Sequence, residues 1–146
     1  MKAAIDLARL GNEVYLVEKD YFVGGRIAQN EKLFMSGQKG KDIVTKLFAE
    51  LKSYKNITLF TGATIEKSSG SLGNFHVDIK IKPRYIKGKA DYNMVQNAMQ
   101  ECASFVFDDF NFGLAKRKAI YKNYAEALPD VPVVDVEALK NEPELI

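Results

Sequence analysis

Val14-Tyr15-Leu16-Val17 is an unbroken apolar run that closes on Glu18 and Lys19. Four apolar residues without polar alternation predict a strand over Glu13–Glu18 that is buried on both faces, as in a parallel sheet. Such a strand cannot stand alone. It needs a neighbour on each side and helices on both faces, which commits the chain to an α/β class. The residues before it supply one helix. Met1–Leu10 puts Ala3, Ala4, Leu7 and Ala8 on a small-residue face, and Gly11-Asn12 is a C-terminal stop signal.

After the strand, Lys19–Val23 reads as a loop leading to the pair Gly24-Gly25 and then Arg26. A second helix lies within Ser36–Lys55. Its stripe is Ile43, Leu47, Leu51 and Tyr54, joined by Val44 and Phe48, with Asp42, Lys46 and Glu50 facing away. Ile57–Phe60 is a short strand ended by Thr61-Gly62, and Ala63–Lys67 is another. Ser68–Asn74, with three Ser and two Gly, reads as a turn. Phe75–Lys82 alternates Phe75, Val77, Ile79 and Ile81 against His76, Asp78, Lys80 and Lys82, the pattern of a half-solvated antiparallel strand that Pro83 ends. The last two strands make a hairpin.

The character changes from Lys87. Asp91–Ala103 has helical spacing in Met94, Val95, Ala98, Met99 and Cys102. Phe105–Phe112 mixes aromatics with Asp, and Ala115–Tyr121 is basic and reads as helical. Leu128–Pro132 is a turn, Val133–Val136 a short strand, and Lys140–Ile146 a loose tail. The aromatics Phe105, Phe107, Phe110 and Phe112 are a core or docking segment. The basic groups Lys80/Lys82/Arg84 and Lys116/Arg117/Lys118 suit a solvated face, or contact with an acidic partner or phosphate.

Scarce residues exclude several chemistries. The 146 residues hold one Cys, one His and no Trp. A lone Cys102 excludes an internal disulfide, and with His76 it cannot supply the ligands of a structural zinc site or the four thiolates of an iron–sulfur cluster. No metal site is therefore expected. Cys102 reads as a small buried hydrophobe. A nucleophile–His pair would have to use His76, which falls on the polar face of its strand. Lys and Arg number 21 against 19 Asp and Glu, so no nucleic-acid partner is expected. No stretch reaches the ~18 apolar residues of a membrane span, so no direct membrane insertion is expected. The N-terminus lacks a secretory pattern, and the cytoplasm is the expected location.

In a dinucleotide-binding βαβ unit, a first strand and a Gly-x-Gly-x-x-Gly turn precede the helix, and an acidic residue closes the second strand roughly 20 residues later. This sequence holds the helix, the second strand and the acid Glu18, but no Gly-x-Gly-x-x-Gly. The fold class expected is α/β: a partial FAD/NAD(P)-binding Rossmann-like domain lacking its first strand and glycine-rich turn, with a β-hairpin. The open sheet position invites strand addition or self-association.

Three stretches carry a family resemblance. They are Ala4-Ile5-Asp6-Leu7-Ala8-Arg9-Leu10-Gly11, Val14-Tyr15-Leu16-Val17-Glu18-Lys19, and Gly24-Gly25-Arg26-Ile27-Ala28-Gln29. Gly73-Asn74-Phe75, Lys82-Pro83-Arg84-Tyr85, Phe110-Asn111-Phe112-Gly113-Leu114 and Lys116-Arg117-Lys118-Ala119-Ile120-Tyr121 follow in the family's order. Together they resemble the FAD domain of the heterodisulfide reductase A-type flavoproteins, and the related quinone-interacting membrane-bound oxidoreductase flavin subunits. The resemblance implies a thioredoxin-reductase-like FAD domain at residues 1–87. It also implies a cysteine-depleted ferredoxin-type insert and return segment at residues 88–146. The activity implied is electron transfer between flavin and iron–sulfur centres, with other subunits of a heterodisulfide-reductase-like complex as partners. Carried over, Glu18 would bind the adenosine ribose, Lys19 beside it would be cofactor-binding, Gly24, Gly25 and Arg26 would lie along the FAD, and Ala63 and Thr64 near the adenine end. No catalytic residue is assigned. The family's insert carries Cys-x-x-Cys-x-x-Cys-x-x-x-Cys. With Cys102 as its last cysteine, the other positions fall on Tyr92, Val95 and Ala98, so this chain alone holds no such cluster. A second reading is a non-enzymatic docking or scaffold subunit that pairs with a fuller flavoprotein.

Overall fold

A computed structural model of the chain describes residues 1–86 and 92–139. The expected tail Lys140–Ile146 and the expected boundary at residue 87 lie outside the described residues. The chain is mixed helix and strand with small sheets, and it divides into two compact units, Met1–Pro83 and Arg84–Ile146.

In the first unit, helix α1 (Lys2–Arg9) leads to strand β1 (Val14–Glu18), which pairs in parallel with β2 (Ile57–Thr61). The register sets Val14 against Ile57 and Glu18 against Thr61, so the carboxyl ends of both strands meet at one edge. Between them lie a short helix α2 (Gly25–Gln29) and a long one α3 (Gly40–Ser53). Helix α1 buries Ala4, Ile5 and Ala8, while α3 buries Val44, Phe48 and Leu51, at the i, i+4, i+7 spacing of an apolar stripe. Arg9 ties the two helices, donating to Glu50 Oε1 at 3.0 Å and to the Tyr54 hydroxyl at 3.4 Å. That hydroxyl bond, ahead of the Asp6 and Glu50 charges, raises the Arg9 guanidinium above its ordinary range. Asn56 closes the corner, donating to the carbonyls of Ala8 and Asn12 at 2.9 and 2.7 Å.

Strands β3 (Ala63–Ser71) and β4 (Asn74–Ile81) form a long antiparallel hairpin with a bulge between Ile65 and Lys67. The second unit holds helix α4 (Tyr92–Glu101), strands β5 (Phe105–Phe107) and β6 (Lys116–Lys118) as one antiparallel pair, and β7 (Ile120–Tyr121) with β8 (Val133–Val134) as another. A one-turn helix α5 (Val136–Leu139) follows. Its core is Cys102, Ala119, Ile120 and Leu139, flanked by Ala98, Met99, Val134 and Ala138.

Several expectations are corrected. Ser68–Ser71 is strand, and only Leu72 and Gly73 turn. Pairing of Ser68 with Val77 and Gly70 with Phe75 overrides the turn-like composition. Ala115–Tyr121 is not helical, because Lys116–Lys118 pair with Phe105–Phe107. Strand β8 stops at Val134, and Val136 begins a helix whose Ala138 amide is capped by the Asp135 carboxylate at 3.3 Å. In α1, Ile5 is buried instead of Ala3 and Leu7, which face solvent. Strand β1 is not buried on both faces: Tyr15 stands exposed, stacked on Phe60 at 6.4 Å. The apolar alternation of β4 faces solvent at Phe75, Val77 and Ile81. Met94 is exposed, and Phe105, Phe107 and Phe112 lie outside the core.

Candidate functional site

Glu18 ends β1 because the apolar run stops there and the chain turns at once. The Asp20 amide donates to Glu18 Oε1 at 3.1 Å, which fixes the carboxylate at the strand's end. The turn is stitched to the next corner of the sheet. The Gly62 amide donates to the Asp20 carbonyl at 2.8 Å, and the Tyr21 ring lies against Gly62. A Cβ on Gly62 would come within 2.7 Å of Tyr21 Cε1, so the glycine makes room for that ring. The Tyr21 hydroxyl donates to the Pro83 carbonyl at 3.2 Å. Phe22 and Val23, both buried, then lead to the glycine pair.

Gly24 and Gly25 play different parts. Gly24 caps α2 at φ 108°, a conformation L side chains rarely adopt. A Cβ there would meet Val44 Cγ2 at 2.7 Å and Ala28 Cβ at 3.3 Å. Its smallness therefore serves the packing of α2 on α3. Gly25, at φ 46°, has open space where its Cβ would be. Gly25 and Arg26 belong to the first turn of α2. Lys19, Gly25 and Arg26 are exposed, and Glu18 and Gly24 half-buried.

Gly40 was not singled out by any sequence signal and proves important. It starts α3, its amide donates to the Asn30 carbonyl at 3.1 Å, and a Cβ on it would overlap the Ile27 carbonyl oxygen. A glycine before a periodic apolar stripe is the one cue that would have found it. Ala63 is buried and Thr64 half-buried at the start of β3, paired with Ile81 and Lys80. Thus Glu18, Lys19, Gly24, Gly25 and Arg26 follow the carboxyl end of a parallel strand, where ligands bind in open α/β sheets. The acceptor carboxylate of Glu18 suits ribose hydroxyls, and the open side of Gly25 leaves its backbone accessible. The first would suit the ribose and the second the diphosphate of a dinucleotide such as FAD.

Cys102 does not lie at this site. It follows α4, buried in the core of the second unit, its thiol 3.8 Å from the Ser104 carbonyl. Among the described residues no three His, Cys, Asp or Glu side chains gather as metal ligands.

No family model matches the sequence. Methanopyrus kandleri has a second iron-sulfur A subunit of CoB–CoM heterodisulfide reductase. The chain is 38% identical to it over 131 residues, covering 90% of this chain and 20% of that protein. It is 36% identical over 140 residues to the iron-sulfur A subunit of CoB–CoM heterodisulfide reductase from Methanocaldococcus jannaschii, covering 94% and 21%. It is 34% identical over 142 residues to a protein of Archaeoglobus profundus that is like the heterodisulfide reductase A subunit, covering 93% and 20%. With at least nine tenths of its length aligned in each case, the chain belongs with the sequences of the heterodisulfide reductase A family, and it spans about one fifth of the length of these curated relatives.

Proposed function

We propose that the chain is part of an FAD-binding, cytoplasmic electron-transfer oxidoreductase subunit of the heterodisulfide reductase A type, working with other subunits of such a complex. The observation that carries this reading is the position of Glu18. Its carboxylate sits at the carboxyl end of β1, held by the Asp20 amide, with the Gly24-Gly25-Arg26 turn following. In this reading residues 1–87 are a partial Rossmann-like FAD domain and residues 88–146 a cysteine-depleted ferredoxin-type insert. Glu18 accepts hydrogen bonds from the adenosine ribose hydroxyls. Lys19 and Arg26 lend positive charge beside the diphosphate, and Gly25 lets the backbone approach it. The flavin would supply the passage between two-electron and one-electron chemistry.

The sequence contains no Gly-x-Gly-x-x-Gly, so the amides that cradle a pyrophosphate must come from elsewhere and binding by this chain is weak. Titration of FAD with the full chain, followed by flavin fluorescence, tests this. Saturable quenching that Glu18→Gln weakens by about tenfold is expected, one lost charge-assisted bond. Quenching indifferent to Glu18→Gln, or none, contradicts the assignment.

One observation favours the second reading, a non-enzymatic docking subunit. Among the described residues β1 pairs only with β2, leaving its other edge free to take a strand from a fuller flavoprotein or another copy. Sedimentation velocity decides for self-docking: concentration-dependent oligomers support it, and a monomer at every concentration contradicts it.

A further inference from the structure

The Glu18 carboxylate stands where β1 gives way to an exposed turn, and a free glutamate side chain samples many rotamers. The Asp20 amide restrains it, donating to Oε1 at 3.1 Å. The aim of that amide depends on how residue 20 itself is fixed. Lys19 and Asp20 are exposed and belong to no helix or strand. The chain is tied before them by the β1–β2 ladder and after them by the buried Phe22 and Val23.

Two backbone bonds connect this turn to distant segments. The Asp20 carbonyl accepts from the Gly62 amide at 2.8 Å, and the Gly62 carbonyl accepts from the Lys82 amide at 2.9 Å. They set the turn, the corner between β2 and β3, and the end of β4 side by side. Tyr21 spans all three. Its half-buried ring lies on Gly62, where a Cβ would come within 2.7 Å of Cε1, and its hydroxyl donates to the Pro83 carbonyl at 3.2 Å. Gly62 is buried at φ 63°, so backbone conformation and the ring both require a glycine there. The peptide group between Asp20 and Tyr21 is thereby held from two directions. Its carbonyl is bound by Gly62, and the side chain that follows it is bound by Pro83. The Asp20 amide lies one peptide earlier and takes its orientation from that anchorage.

We propose that Tyr21 is a positioning residue for Glu18. It acts through the Asp20 amide, holding the carboxylate in one pose before a nucleotide arrives. The inference rests on the reading of Glu18 as acceptor for the adenosine ribose hydroxyls. A carboxylate fixed in advance does not have to be ordered on binding, which is worth about threefold to tenfold in affinity for one rotamer-rich side chain. The hydroxyl separates this role from plain packing. A phenylalanine would cover Gly62 equally well and lose only the tie to Pro83.

The test compares the full chain with Tyr21→Phe, Glu18→Gln and the double variant, using FAD titration and amide hydrogen exchange. Tyr21→Phe should bind FAD about threefold to fivefold more weakly, and should add nothing once Glu18 is Gln, because the charge it positions is gone. Without ligand, the Asp20 and Gly62 amides should exchange several-fold faster in Tyr21→Phe, while the amides of the β1–β2 ladder keep their rates. A merely structural tyrosine would speed exchange throughout the unit, and that result overturns the proposal. So does FAD binding that Tyr21→Phe leaves unchanged, or weakens equally with and without Glu18. If Glu18→Gln still weakens FAD in those cases, the ribose reading stands and the positioning role alone fails. A parent chain that does not bind FAD, or binds it regardless of Glu18, overturns both.

Discussion

Gly24 and Gly25 adjoin in sequence and answer to different constraints. Gly24 is required by its φ of 108° and by Val44, which already occupies the space a Cβ would fill. Gly24→Ala should destabilise the chain by about 1–3 kcal/mol, from strain and overpacking together. Gly25 has nothing near its missing Cβ. Gly25→Ala should cost only about 1 kcal/mol for its left-handed backbone, while weakening FAD more than Gly24→Ala does at equal fractions folded. Urea midpoints with matched flavin titrations check both, and the reverse order of flavin effects would contradict the division of roles. The family resemblance placed the pair along the FAD. It did not separate the two, because the neighbour that constrains Gly24 lies 20 positions away on α3.

Among the elements, α3 shows how local signals succeed and where they end. Its apolar stripe was legible from Ile43 to Tyr54, and Val44, Phe48 and Leu51 are buried. Its start was not legible, because it depends on a contact between backbones. Gly40 lies against the Ile27 carbonyl within α2, and Gly40→Ala should cost about 2 kcal/mol or more, as overpacking against a rigid backbone does. Urea unfolding measures it, and an unchanged midpoint would contradict the close packing of α2 on α3. The parallel strand and its acid were equally readable, since Val14–Val17 is continuous and Glu18 ends it. Two elements were misread for a common reason. Ser68–Ser71 and Lys116–Lys118 have poor strand composition, and each is a strand because a better strand, Asn74–Val77 or Phe105–Phe107, pairs with it. Propensity summed along one segment cannot register a partner across a turn.

At the scale of the whole molecule, the first unit carries the candidate nucleotide site and the second carries the buried Cys102. The family was legible in the sequence because its motifs are spread along the chain in order, from Ala4 to Tyr121. The exposed apolar face of β4 was not, since alternation says that a face is apolar and not what covers it. The central claim is that Glu18 and the turn after it recognise the adenosine end of FAD. Competition against FAD bound to the full chain tests it most directly, with AMP and riboflavin as the two competitors. AMP should displace FAD from the parent chain, riboflavin should not, and Glu18→Gln should weaken AMP and FAD in parallel. Displacement by riboflavin with AMP inert, or FAD binding that Glu18→Gln leaves unchanged, would contradict it.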